Sequence, residues 1–211
     1  MISWPLKYTY GQRISVIGPQ GSGKTVVEQT LLRQKDRVLV LDTKQDPKDD
    51  WKSVGVPIKK LGKLAPGRYI WAASKDFITD PDTQSVFFEK QLDNGPLVIG
   101  VDEAYHLFLT RGLRLLATQG RGKRVSLVSC MQRPRSIPLF LLSDANYWIV
   151  FNLQLDDDRK SVEKSVGHKI DWETLKAHEH SFIVLDGKGG SGGPYRLPDP
   201  KKSQGSSPGQ L

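Results

Sequence analysis

Cysteine is almost missing from this chain: Cys130 stands alone among 211 residues. One thiol excludes an intramolecular disulfide and a cysteine-based zinc site, and it suits a reducing compartment. No run of about 18 apolar residues occurs and no basic-then-apolar leader opens the sequence, so no membrane span or signal peptide is expected. His168, His178 and His180 have no metal-ligand spacing and are expected at the surface. Acidic residues are the minority, 23 against 31 Lys and Arg, and the resulting charge of +8 favours a polyanionic partner. There is no internal repeat, and the length suits one domain with a proper core.

The most informative stretch is Gly18-Pro19-Gln20-Gly21-Ser22-Gly23-Lys24-Thr25, which has the spacing G-x-x-x-x-G-K-[ST] of a phosphate-binding P-loop, or Walker A motif. Gly18, Gly21 and Gly23 let successive backbone N–H groups converge on a phosphate. Lys24 brings a mobile positive charge, and the Thr25 hydroxyl is an oxygen ligand suited to Mg²⁺. The context fits. The β-branched run RISVIG precedes the loop as a strand, and TVVEQTLLRQ follows as a helix with Val26, Val27, Thr30 and Leu31 on its apolar stripe.

A second half-site lies about 80 residues on, in PLVIGVDEA. An apolar strand running into Asp102-Glu103 is the Walker B pattern. Asp102 is expected to hold Mg²⁺ through water, and Glu103 to polarise the water that attacks a γ-phosphate. The strand VSLVSC leads to Gln132, whose amide offers donor and acceptor to phosphate and water.

Other segments read as strands at 37–43, 67–73, 146–153 and 181–186, and as helices at 82–92, 104–118 and 137–145. A helix is expected from Asp156 with its acid triplet at the N-terminus, then another over IDWETLKAH. QGRGKR (119–124) reads as a Gly-basic turn, and 45–66 as loop, with Lys59, Lys60 and Lys63 either solvated or in contact with nucleic-acid phosphates. Lys44 closes a strand at the edge where ligands gather, and a solvated lysine is its default reading. Trp4, Pro5 and the nearby tyrosines either pack on the domain edge or stack on adenine. The expected organisation is a motor domain over 1–186 and a flexible Gly/Ser/Pro-rich tail over 187–211, with PYRLP as a short edge segment. The fold class is α/β: a three-layer P-loop NTPase of the RecA-like, ASCE type, with a mainly parallel sheet and Walker A and B on neighbouring central strands.

The ordered set GPQGSGKT, LVIGVDEA and GRGKRVSLVSCMQRPRSIP resembles the HerA–FtsK superfamily of DNA-pumping ATPases. Within it the chain is most similar to the genome-packaging ATPases of tailless, membrane-containing double-stranded DNA viruses. The resemblance covers residues 13–155, and the Gln-Arg-Pro segment discriminates best; Met131 departs from the small residue or Thr usual before the Gln. It implies ATP and Mg²⁺ at Lys24, Thr25 and Asp102, catalysis by Glu103, and Gln132 as sensor. It further implies a pentameric or hexameric ring around double-stranded DNA, read without sequence preference, and docking on a capsid vertex or portal-like protein. The place of action would be the virion or the host cytoplasm during assembly. The Gly-Arg turn maps to Gly120-Arg121, which makes Arg121 the first choice for a finger reaching a neighbour's site, with Arg124, Arg114 and Arg111 as alternatives. Three other readings stay open: a DNA-extrusion or conjugation motor, a nucleotide-dependent binding module with little turnover, and a small-molecule kinase.

Overall fold

The computed structural model describes residues 6–197, Lys63 excepted. Its frame is a sheet whose strands are, in chain order, β1 (Arg13–Ile17), β2 (Val38–Asp42), β3 (Val56–Ile58), β4 (Arg68–Ala72), β5 (Leu97–Val101), β6 (Val125–Met131), β7 (Tyr147–Phe151), β8 (Ser181–Asp186) and β9 (Ser191–Arg196). The spatial order is β3-β4-β2-β5-β6-β1-β7-β8-β9. The first seven pair in parallel, while β7–β8 and β8–β9 are antiparallel. The central strands β2, β5 and β6 are mostly apolar and are buried almost throughout because both faces are covered, as parallel sheets require.

The two covers are unequal. Helix α1 (Lys24–Leu32) lies on one face, joined by Trp51, Val54, Leu6 and Tyr8. The other face carries α3 (Pro81–Leu92), α4 (Arg111–Lys123), α5 (Phe140–Ser143) and α6 (Asp156–Val166), with the short α2 (Lys75–Thr79) and α7 (Trp172–Lys176) at its margins. Phe77, Phe87, Phe88 and Trp71 meet there in edge and stacked pairs, geometries that aromatic quadrupoles favour.

Several sequence expectations change. Walker A and Walker B are not on neighbouring strands, because β6 lies between β1 and β5 and carries Gln132 to the gap between them. The helix expected at 104–118 begins only at Arg111, after a 3₁₀ turn (Ala104–His106), where Thr110 caps it by accepting from the Leu113 N–H. The expected Gly-basic turn is the last turn of α4, and Arg124 ends it in the left-handed region at φ 59°. Tertiary packing overrides the glycines' low helix propensity: Gly120 is buried, where a Cβ would come within 2.8 Å of the Val125 carbonyl oxygen. Helix α3 is capped by Asp80, which accepts from the Asp82 and Thr83 N–H groups, while Asp82 sits inside the first turn. The acid triplet at Asp156 fills the first turn of α6 without a side-chain cap.

The chain also stays in the sheet beyond residue 186. Strand β9 pairs back on β8 through a turn that needs Gly189 at φ +91°. Residues 198–211 of the expected tail, the Trp4-Pro5 lead-in and Lys63 lie outside the described residues. Tyr8 and Tyr10 stand near the end of α1 remote from the P-loop, where the Tyr8 hydroxyl donates to the Leu31 carbonyl (3.1 Å), so the edge-packing reading holds for them.

The approach of α3 to α4 depends on one residue. A Cβ at Gly112 would overlap the Ser85 carbonyl oxygen, while the Gly112 N–H donates to Ser85 Oγ at 2.9 Å. Replacing Gly112 by Ala should lower stability by about 1–3 kcal/mol, the usual cost of forcing packed elements apart. A urea titration checks this, and Gly122→Ala, which has open space around it, should cost less than half as much.

Candidate functional site

Strand β1 ends at Ile17, and the loop Gly18–Gly23 turns over its carboxyl end into α1. Gly21 and Gly23 have φ of +78° and +101°, in the region that other residues rarely adopt. Gly18 is tight for another reason: a Cβ there would come within 2.7 Å of Ser22 Oγ and 2.8 Å of Phe151 on β7. Pro19 and Gln20 form the outer limb. Lys24 opens α1 and is 8% exposed; its Nζ folds back across the loop to donate to the Pro19 carbonyl at 2.8 Å. Burial lowers its ammonium pKa, against the pull of the nearby Glu103 and Asp102.

Walker B meets this loop directly. Thr25 Oγ1 donates to Asp102 Oδ1 at 3.3 Å, and Gln132 Nε2 donates to Glu103 Oε1 at 2.6 Å. Residues from α1, β5 and β6 therefore converge at one sheet edge, and each sequence-predicted member of the nucleotide site is there. Asp102 and Glu103 are 3% and 5% exposed, yet Asp102 Oδ2 and Glu103 Oε2 have no hydrogen-bond partner among the described residues. Burial, with the Asp49 and Glu103 charges adding, pushes the Asp102 carboxyl up to about 7. A cation placed there would reverse that shift.

Lys44 stands at the same edge, where it pairs with Asp49 (3.4 Å) and Asp46 (3.6 Å). Lys59 and Lys60 are exposed. The candidate finger residues all lie on α4 or, for Arg124, at its C-cap. Arg111 lies 3.9 Å from Glu89, and Arg124 lies over the Tyr10 ring. The side chains of Arg114 and Arg121 are exposed and have no hydrogen bond or ion pair among the described residues. Arg114 is at the helix end near the nucleotide edge. Arg121 is at the opposite end, its backbone against Gly11 ahead of β1, so it is remote from its own P-loop.

Two residues were not legible beforehand. Glu28 is completely buried on the sheet-facing side of α1, while Val26, expected on that stripe, is 48% exposed. The buried stripe runs Lys24, Val27, Glu28, Leu31, Leu32, a helical i, i+3, i+4, i+7, i+8 set in which a carboxyl takes an apolar place. Gly100 makes room for it, since a Cβ there would meet Leu32 at 2.7 Å and Glu28 Oε1 at 3.0 Å. Among the described residues neither Glu28 oxygen has a hydrogen-bond partner of ordinary geometry, and the Cys130 thiol beside it is equally buried. Burial, then the Asp102 charge, pushes Glu28 well above the usual carboxylate range, which favours its protonated form. His180 is the second residue: it is half-buried rather than at the free surface, and its Nδ1 lies 3.1 Å from the Ser22 carbonyl oxygen.

A cavity of about 630 Å³ lies elsewhere, between α3 and β4 against Trp71, Phe77 and Phe87. No Walker residue lines it. The nucleotide assignment follows the convergent polar groups.

Fold and site together define a P-loop NTPase in which an extra strand separates Walker A from Walker B. No protein-family model matches the chain. It is 29% identical over 170 residues to the DNA packaging ATPase P9 of Enterobacteria phage PRD1, a match covering 78% of this chain and 73% of that protein. Its fold is similar to that of the genome packaging NTPase B204 from Sulfolobus turreted icosahedral virus 2 in complex with ATP-gammaS, with a TM-score of 0.73 at 14% identity over 90% of this chain and 100% of that one. It is also similar to the pCW3 conjugation coupling protein TcpA, with a TM-score of 0.52 at 13% identity over 85% of this chain and 58% of that one. The likeness to a DNA packaging ATPase thus runs over 78% of the sequence, and the likeness in fold to a packaging NTPase over 90% of the chain.

Glu28 leads to a pH prediction. Its folded pKa is raised, so the folded state keeps a proton that the unfolded chain gives up. The stabilisation is complete below the ordinary glutamate pKa and is lost as pH rises toward the folded value. Between about pH 5 and about pH 8 the wild type should lose stability, and Glu28→Gln, which cannot titrate, should lose less. Asp102 titrates in the same window, so the slope should shrink without vanishing. Denaturant midpoints at both pH values check it, and equal slopes for the two proteins would refute a neutral Glu28.

Proposed function

We propose that the chain is an ATP-hydrolysing motor that moves double-stranded DNA into a viral capsid. The observation that carries this reading is the convergence of Lys24, Thr25, Asp102, Glu103 and Gln132 at one sheet edge, in a chain similar to a packaging ATPase. The glycine-rich turn and the first N–H groups of α1 make an anion cradle at the positive end of the helix dipole. Lys24 would exchange the Pro19 carbonyl for β- and γ-phosphate oxygens. Thr25 Oγ1 and the unpartnered Asp102 Oδ2 suit a magnesium ion, which takes few protein oxygens and completes its shell with phosphate and water. When bound, that ion would neutralise charge developing on the phosphates.

Glu103 has one oxygen held by Gln132 and the other without a hydrogen-bond partner among the described residues. The latter oxygen is the base that orients the attacking water, and the Gln132 amide fixes its direction. Because Gln132 can turn toward the γ-phosphate instead, the same bond links nucleotide state to the freedom of Glu103. DNA would be gripped by its phosphates through the basic surface, without base readout. The working form on this reading is a ring on a capsid vertex, acting in the virion or host cytoplasm. Among the described residues no helix is long and apolar enough to cross a membrane.

Glu103→Gln should bind ATP normally and lose turnover by ~10²–10⁴-fold, whereas Lys24→Ala should lose nucleotide binding itself. Steady-state hydrolysis with and without duplex DNA, over a salt series, tests the whole reading. Wild-type turnover in Glu103→Gln, or duplex affinity insensitive to salt, would refute it.

The ring further requires that one subunit complete another's site, and the two unpartnered arginines of α4, Arg121 and Arg114, are the candidates. An alanine at the correct one should abolish turnover while sparing ATP binding. Mixing it with Glu103→Gln subunits should restore part of the activity, because the second protein supplies the intact arginine in trans. Full activity in both purified alanine variants would rule these two out and move the search to Arg111 and Arg124.

A further inference from the structure

The buried face of helix α3 consists of Phe87, Phe88, Leu92 and two amides, Gln84 and Gln91. Gln84 is fully buried, at 0% exposed, where an apolar side chain would serve packing alone. An amide taken out of water without partners is strongly disfavoured. This one is satisfied three times. Its Nε2 donates to the His106 carbonyl at 2.6 Å and to the Phe77 carbonyl at 2.8 Å, and its Oε1 accepts from the Phe108 N–H at 2.9 Å. Both donors and one acceptor site are used, and none of the three partners is on α3.

Two of the partners belong to the stretch that leaves Walker B. Residues 103–110 connect β5 to α4 with a single 3₁₀ turn, Ala104–His106, so most of their backbone groups have no helix or ladder to join. The turn is closed by the His106 N–H on the Glu103 carbonyl at 3.2 Å and by the Leu107 N–H on the Ala104 carbonyl at 3.0 Å. Gln84 takes the groups that come next, the His106 carbonyl and the Phe108 N–H. A run of hydrogen bonds therefore leads from α3 to the peptide group of Glu103. Packing adds little there, since Leu107 alone is buried among residues 105–109. The side chain of Glu103 is held from the other direction, by the Gln132 amide at the tip of β6.

We infer that Gln84 is a positioning residue for hydrolysis: from α3 it fixes the backbone on which Glu103 stands, while Gln132 fixes the carboxylate. The inference rests on the reading of Glu103 as general base, and it extends the site to a helix that carries no nucleotide motif. Gln84 acts only through residues 104–108, so its loss leaves every reacting group in the chain. Displacing the base by about 1 Å is still enough to cost up to ~10²-fold in rate.

The test is a double-mutant cycle between Glu103→Gln and Gln84→Met, which keeps the side-chain length and removes the amide. In the otherwise wild-type chain, Gln84→Met should lower kcat about 10-fold and change the Kd for ATP less than about 2-fold. In the Glu103→Gln chain, whose base is already gone, it should change single-turnover hydrolysis less than about 2-fold. Amide hydrogen exchange should rise across 104–108 and stay unchanged in β5. An equal drop in both backgrounds, an unchanged kcat, a weakened Kd with kcat intact, or unchanged exchange across 104–108 would make Gln84 a packing residue and overturn the inference. Denaturant titration shows which variants are folded. If Gln84→Met is not, Gln84→Asn, which keeps the amide one methylene short, carries the same cycle under the same criteria. Wild-type turnover in Glu103→Gln alone would instead refute the general base itself, a failure distinct from an additive cycle.

Discussion

The hydrogen bond between Thr25 and Asp102 joins the two halves of the nucleotide site, and much of the molecule serves to hold it. Thr25 is fixed because α1 starts where the glycine loop ends; Asp102 is fixed because β5 ends where its hydrogen-bonded neighbours place it. Between them runs β6, paired with β5 on one side and β1 on the other. Its full burial makes it a rigid spacer, and its tip presents Gln132 to Glu103. A strand inserted between the two Walker strands widens the gap to admit a third polar group.

Holding carboxyl groups in that place is costly. Glu28, Asp102 and Glu103 lie within one buried region, and isolated carboxylates there would be strongly disfavoured. Two accommodations are visible. Burial raises the pKa values of Glu28 and Asp102 above the usual carboxylate range, which lowers the cost of placing them there. Lys24 supplies a buried positive charge close by. On the function proposed above, such a site suits a cation and a polyphosphate, and its charge state is coupled to proton uptake. Marginal polar burial of this sort concentrates at functional edges, where structure is traded against chemistry.

The helical layer on the opposite face has a different task. Gly112 lets α4 come close to α3, and α4 in turn runs from the Walker B edge to the far end of the sheet with arginines along its exposed side. A straight rod of this kind can present charge at both ends of the domain to whatever packs beside it. Helix α1 works alone on the other face, where it seats the Walker A lysine and threonine.

Local signals in the sequence determined the P-loop, the Walker B pair and the buried central strands, because spacing of glycines, charges and β-branched runs is a short-range property. The same signals led to Gln132, through its place after an apolar strand. Everything that depended on which strand lies beside which was beyond them. The insertion of β6 between the Walker strands comes from pairing across more than a hundred residues. The helical state of Gly120-Arg121-Gly122 is decided by packing that overrides propensity. Glu28 reads as an ordinary surface glutamate until α1 is docked with that side inward against Gly100. His180 and Leu197 meet the P-loop only because β8 and β9 fold back antiparallel on the sheet, a contact spanning some 160 residues. Such long-range contacts carry no local pattern, since their energy is realised only when the whole sheet has formed.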